Sequence, residues 1–287
     1  MLTSFQKHWG VEQWMAFLRN KELPVMPHSR VNLAAIIEAE GDRLAPRELV
    51  SIVYGDPFLA LKLLRRAEGR RSQVLGQETT TALASILQAG VSDLKRTVND
   101  GPACNEALPG LLACVERATL GERIARGWAC QHADISPDEV ALAALLSEIG
   151  ELLLWHIAPE LPEQALAELR SGRALRSAQA QTQVCGFPFK LLSLALVQAW
   201  ELPPLIGQLI KGSDSLRANL ARQALDTARH LIAHPENPAL PADIANIREL
   251  LPGVGLAKLM AHLPISEEYR QTVLDAIEQE TYIKDLK

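Results

Sequence analysis

Residues 143–155 read AALLSEIGELLLW. Leucine and alanine dominate, and both are strong helix formers, so the run predicts a buried or half-buried helix. At 100° per residue, Leu142, Leu145, Leu146, Ile149, Leu152 and Leu153 gather on one side. Ser147 falls opposite, near Gly150, Glu151 and Leu154, and Glu148 falls on the flank. Two readings are open for this polar pair: a solvated back face, or a second buried face lining an internal pocket. On pattern alone the solvated face is the stronger reading; Leu154 and Trp155, which make the helix apolar nearly all round, are the hint of a pocket.

The same logic extends outward. Ser136-Pro137-Asp138-Glu139 has the pattern of a capping box with proline in the first turn, and starts the long helix that carries Ser147 and Glu148. Near the start of the chain, Val11, Trp14, Met15 and Leu18 share one helical face, and Trp9, Trp14 and Phe17 read as a docking stripe. Leu23-Pro24-Val25-Met26-Pro27 breaks the chain. A following helix places Val31, Ala34, Ile37 and Ala39 together and closes at Gly41. Asp56-Pro57 opens a further helix, since Asp can accept from free N–H groups and Pro lacks only an N–H with no partner. That helix is expected to end at Gly69. The stretch 171–186 is more polar and reads as partly loop. No strand pattern and no fixed-period repeat is visible, so the chain is expected to be all-α, with helices packed ridge into groove.

The 287 residues are 48% hydrophobic but only 5% aromatic, so a sizeable core must be built from Leu, Ala, Ile and Val. The formal net charge of −5 argues against a general nucleic-acid binder. Cys104, Cys114, Cys130 and Cys185 form no CxxC pair and make a poor disulfide framework, which points to a reducing compartment. The N-terminus has no apolar signal segment, and no uninterrupted apolar stretch reaches about 18 residues. A cytoplasmic protein without a membrane span is expected.

Several residue groups are candidate sites. Lys62, Arg65, Arg66, Arg70 and Arg71 form the one dense basic cluster, a candidate surface for an acidic partner or a phosphate, or else a solvated helix end. Asp226, His230 and His234 recur every four residues and form one stripe. It reads as a polar face with histidines near a helix C-terminus before it reads as a metal site. His132 and His156 are lone histidines, most simply structural.

Five stretches together resemble the HDOD domain family, relatives of the metal-dependent HD phosphohydrolases. They are LPVMP at 23–27, the segment around Asp56-Pro57 with Leu49, Ile52, Leu63, Leu64 and Ala67, and the segment with Ile86, Ala89 and Gly90. The others are ALLSEIGELLL at 144–154, and CGFPFKLLSLALVQAWELPPLI ending in Trp200, Leu202 and Pro203. The resemblance covers about residues 18–212. It implies an HD-like bundle with an N-terminal helical extension at 1–17 and a C-terminal one at 213–287. It leaves no space ahead of residue 18 for a fused receiver domain.

HD enzymes gather histidines and aspartates around one or two metal ions. By that resemblance, Ser147 stands at the histidine of the His-Asp pair and Glu148 at the aspartate. Arg117 and Phe189 stand at two further histidines, and Lys211 and Gly212 at a last pair. The pocket formed by Arg117, Ser147, Glu148, Glu151 and Phe189 is therefore expected to be vestigial, with no metal and no cofactor, and Arg117 is expected to pair with Glu148 where a cation once sat. The implied function is non-enzymatic: a bacterial signalling protein that meets a protein partner. The alternatives are a divergent phosphohydrolase using Glu148, Glu151 and His132, and a nucleotide sensor in which Arg117 and Ser147 grip a phosphate.

Overall fold

The computed structural model describes residue 3 and residues 5–41, 44–71 and 79–285. Among them the regular structure is helical, apart from one isolated bridge between Val25 and Ala103. An N-terminal group comprises α1 (Val11–Leu18), α2 (Pro27–Glu40), α3 (Val50–Tyr54), α4 (Pro57–Arg71), α5 (Ala82–Ala89) and α6 (Val91–Asp100). The long helix α7 (Pro109–Ala129) follows, then α8 (Pro137–Leu146), α9 (Ile149–Ile157), α10 (Glu160–Arg170), α11 (Ser177–Cys185), α12 (Phe189–Ala199) and α13 (Pro204–Lys211). The chain closes with α14 (Leu216–Ala233), α15 (Leu240–Leu250), α16 (Leu256–Met260) and α17 (Glu267–Asp285).

Asp56 organises the N-terminal group. Fully buried ahead of Pro57, it accepts from the Leu59 N–H at 3.0 Å, which caps α4. Its other oxygen accepts from the Met26 N–H at 2.8 Å and the Ser29 hydroxyl at 2.9 Å. One carboxylate thus fixes the Leu-Pro-Val-Met-Pro segment against α4, and the Val25 bridge ties the same segment to the linker after α6. Trp14 packs edge-on with Trp9 and Phe17, and α1, which carries Trp14 and Phe17, lies against α12.

Helix α7 belongs to two apolar cores. Leu111, Cys114, Val115 and Ala118 join the core built with the N-terminal group and α8–α13. Leu120, Ile124, Ala125 and Trp128 join a second core with α14–α17. Trp128 donates its indole N–H to the Leu259 carbonyl at 2.7 Å, tying α16 to α7. Close approach depends on missing side chains: a Cβ at Gly121 would meet Leu225, and one at Gly127 would meet the His262 ring.

Four local expectations are corrected. The helix from Pro137 is two helices, broken at Ser147 and Glu148, and Ser136 makes no side-chain cap. The face of α2 turned inward carries Leu33, with Ile36 and Ile37 half-buried, while Val31 is 68% exposed. Helix α4 runs through Gly69 to Arg71. The polar stretch near residue 180 is helix α11. Residues Pro137–Ile157 do have the length and mean hydropathy of a membrane span, but 72% of an 18-residue window within them is buried inside the fold, as befits a core helix pair.

Gly150 at the start of α9 tests this packing. A Cβ there would lie 2.7 Å from the Phe189 carbonyl oxygen and 2.8 Å from the Ser193 nitrogen, both backbone atoms of α12. Gly150→Ala is expected to cost about 2 kcal/mol and lower Tm by about 5 °C in a thermal melt. Gly69→Ala, where a Cβ meets nothing, is expected to leave Tm unchanged or raise it.

Candidate functional site: a buried ion network and an adjacent groove

The break between α8 and α9 decides where the polar pair goes. Ser147 ends α8 and returns its hydroxyl to the Ala143 carbonyl at 2.6 Å. Glu148 then opens α9 with a non-helical backbone, which swings its carboxylate toward α7 and α14. Arg117 of α7 donates from Nε to Glu148 Oε2 at 2.5 Å, and its Nη2 lies 3.0 Å from Glu151 Oε1. Glu148 Oε1 accepts from Arg229 Nη2 at 2.8 Å, and Arg229 also holds Asp226 at 2.6 Å. Arg117 and Glu148 are each 13% exposed and Glu151 14%, so the network is largely shielded from water.

Burial alone would push the Glu148 carboxyl up, but the two guanidinium groups outweigh it and hold the group below the ordinary glutamate value. Burial would likewise lower Arg117, yet Glu148 and Glu151 raise it well above the usual arginine range. The expected Arg117–Glu148 pair is present, and the solvated-face reading of Ser147 and Glu148 is not.

Cys114, Glu148 and Glu151 have potential ligand atoms within 4.8 Å of one another. The same Arg117 touches all three, its Nη2 lying 3.4 Å from Cys114 Sγ. A guanidinium cannot ligate a metal, and burial pushes the Cys114 thiol well up, which disfavours the thiolate a metal would need. Any ion entering here would have to displace Arg117 first. His132 does not join these groups; its Nδ1 accepts the Asp134 N–H in the turn after α7. Phe189 is buried at the start of α12, where its backbone packs on Gly150.

Arg229 and Cys114 were missed by sequence reasoning. Cys114 lies one helical turn before Arg117, a spacing that could have revealed it. Arg229 reaches the network from α14, 81 residues from Glu148, and no local pattern signals that. The Asp226, His230 and His234 stripe divides its partners. Asp226 holds Arg229, His230 pairs with Asp243 of α15 at 2.7 Å, and His234 accepts the Glu236 N–H. In the basic cluster, Lys62 donates to the Leu23 carbonyl and Arg65 to the Arg19 carbonyl while lying over Trp200. Arg66 holds Asp93, and Arg70 donates to the Gln88 and Ala89 carbonyls. These four cations bind the chain's own acceptors; the side chain of Arg71 lies outside the described residues.

A groove of about 620 Å³ opens on another face of α7, against the start of α2 and α3. At one end Arg126 stacks over the Tyr54 ring at 3.9 Å and pairs with Glu122, while the Tyr54 hydroxyl donates to the Asp138 carbonyl at 3.3 Å. Glu122 is 3% exposed. Burial raises its carboxyl to about 7, against the opposing pull of Arg126.

The HDOD domain family matches residues 23–215, and the chain belongs to that family. Two solved structures share the fold. A virulence factor from Campylobacter jejuni subsp. jejuni superposes at a TM-score of 0.70 with 17% identity, over 91% of this chain and 99% of the other. The MmoQ response regulator from Methylococcus capsulatus str. Bath superposes at 0.65 with 20% identity, over 85% of this chain and 99% of the other. No curated protein sequence matches the chain.

Two pH effects follow. The Glu148 carboxyl is lowered on folding, so its ionisation stabilises the fold above about pH 4.5, and that contribution is lost as pH falls through the folded value. Glu148→Gln is expected to cost on the order of 3 kcal/mol at pH 7 in urea unfolding, with the gap to the parent chain narrowing in acid. Glu122 has the opposite sign. Below about pH 4.5 both states hold its proton; between there and about 7 the unfolded chain releases it first, so stability falls as pH rises. Glu122→Gln is expected to flatten the stability profile in that window.

Proposed function

We propose that the chain is a non-catalytic signalling protein of the bacterial cytoplasm, which works by presenting its helical surface to a protein partner. The observation that carries this reading is the position of Arg117. One fixed cation binds the two carboxylates and the thiol that are the nearest approach to a metal-ligand set in this pocket. Hydrolysis in HD enzymes depends on a metal to polarise the phosphoryl oxygen and to generate hydroxide from bound water. Here the equivalent pocket holds an ion network in which Arg117 and Arg229 already occupy the carboxylates of Glu148, Glu151 and the partly exposed Asp226.

Supporting context comes from the comparisons: the family is HDOD, and one protein of the same fold is described as a response regulator. The four free cysteines fit a reducing compartment. A nucleotide sensor gripping phosphate with Arg117 is less well supported, since the phosphate would have to replace two carboxylates at 2.5 and 3.0 Å.

Metal analysis of the untagged protein by inductively coupled plasma mass spectrometry checks the reading. The expected content is below about a tenth of an equivalent of any transition metal, with no hydrolysis of phosphorylated nucleotides. Near-stoichiometric metal that disappears in Glu148→Ala would overturn it in favour of a divergent phosphohydrolase.

A further inference from the structure

The groove beside α7 has the features of a docking surface. Leu112, Glu116, Thr119 and Arg123 stand at i, i+4, i+7 and i+11 on α7 and form an exposed to half-exposed stripe along one wall. From Leu112 to Arg126 that wall runs about 21 Å at 1.5 Å per residue. Leu112 is a large aliphatic residue left 37% exposed, and Val115 and Met26 lie beneath as apolar floor. The opposite wall is formed by His28, Ser51, Tyr54 and Gly55.

The charges along this trough are sorted. Glu106, three residues before α7, and Glu116 stand toward the N-terminal end of the helix; toward the C-terminal end Arg126 is taken up by Glu122 and Tyr54, which leaves Arg123 as the exposed cation. Glu116 and Arg123 are seven residues apart, about 10 Å along the axis and on the same face. Glu106, Glu116 and Arg123 form no ion pair among the described residues, so these charges are available to a visitor. Helices ordinarily carry acidic residues in the first turn and basic residues in the last, because those charges offset the helix dipole. A helix laid antiparallel to α7 would bring such an acidic first turn over Arg123 and such a basic last turn over Glu106 and Glu116. A small ligand could not reach both ends.

We propose that this groove docks one amphipathic helix of a partner protein, antiparallel to α7, with its aliphatic stripe on Leu112 and Val115 and its end charges matched to Glu106, Glu116 and Arg123. This is the helix-in-groove mode of recognition, in which apolar anchors supply affinity and charges fix direction. It rests on the reading of the chain as an interaction module, but uses a different face of α7 from the Arg117 network.

The test uses two fluorescein-labelled helical peptides of about 14 residues with the same aliphatic stripe. One carries Glu in the first turn and Lys in the last; the other has these reversed. Fluorescence anisotropy with the full chain is expected to show at least about tenfold tighter binding of the first peptide. The preference is expected to invert in the double variant Glu116→Lys with Arg123→Glu, both exposed positions. Thr119→Arg, in the middle of the stripe, is expected to weaken both peptides and serves as a second variant should the double one not fold. Equal binding of the two peptides, binding of neither below about 1 mM, or a preference unchanged by the variants would overturn the proposal. A metal-loaded protein that still distinguishes the peptides would remove only the non-catalytic reading; a metal-free protein indifferent to both would remove only this one.

Discussion

Two guanidinium groups share one shielded carboxylate at the centre of this protein, and much of the architecture follows from satisfying it. Glu148 could not remain charged at 13% exposure without a partner for each oxygen. Arg117 supplies one from α7 and Arg229 the other from α14. The carboxylate can meet both only because the helix from Pro137 is interrupted at Ser147 and Glu148. The helix break, the approach of α14 and the burial of Arg117 are therefore one arrangement seen from three helices.

Asp56 solves the same problem with different chemistry. It is fully buried but has no guanidinium beside it; two backbone N–H groups and one hydroxyl satisfy it instead. Burial pushes its carboxyl up, whereas the arginines hold Glu148 down. Two buried acids in one chain thus respond to pH in opposite senses, and the paired arginines beside Glu148 set them apart.

The helical architecture was legible because its signals are local. Pro57 and Gly41 mark real helix boundaries, and the leucine-rich run around Ser147 is as buried as its composition implies. The Arg117–Glu148 pair was also within reach, because the resemblance to the HDOD family aligned both residues on one pocket. What escaped depended on geometry between distant segments. Arg229 carries no local mark of its role, and the groove arises from the meeting of α7 with α2 and α3. The inward face of α2 was misjudged because Val31, Ala34 and Ile37 do share a face; tertiary packing chose Leu33 with Ser29 instead. The basic cluster looked free in sequence because the acceptors of Lys62, Arg65 and Arg70 include backbone carbonyls, which no side-chain pattern reveals, and the carboxylate that Arg66 meets, Asp93, is 27 residues away.

The sharing of α7 between two cores sets an order on the making of the molecule. Trp128, at the far end of that helix, finds its hydrogen-bond acceptor at Leu259, 131 residues later in the chain. On the ribosome, the first core can close while the Ile124, Ala125 and Trp128 face still waits for α14–α16 to emerge. The nascent protein therefore carries an uncovered apolar helix face until those later helices emerge. The glycine notches at Gly121 and Gly127, which let the late helices seat flush, bring that exposure to an end.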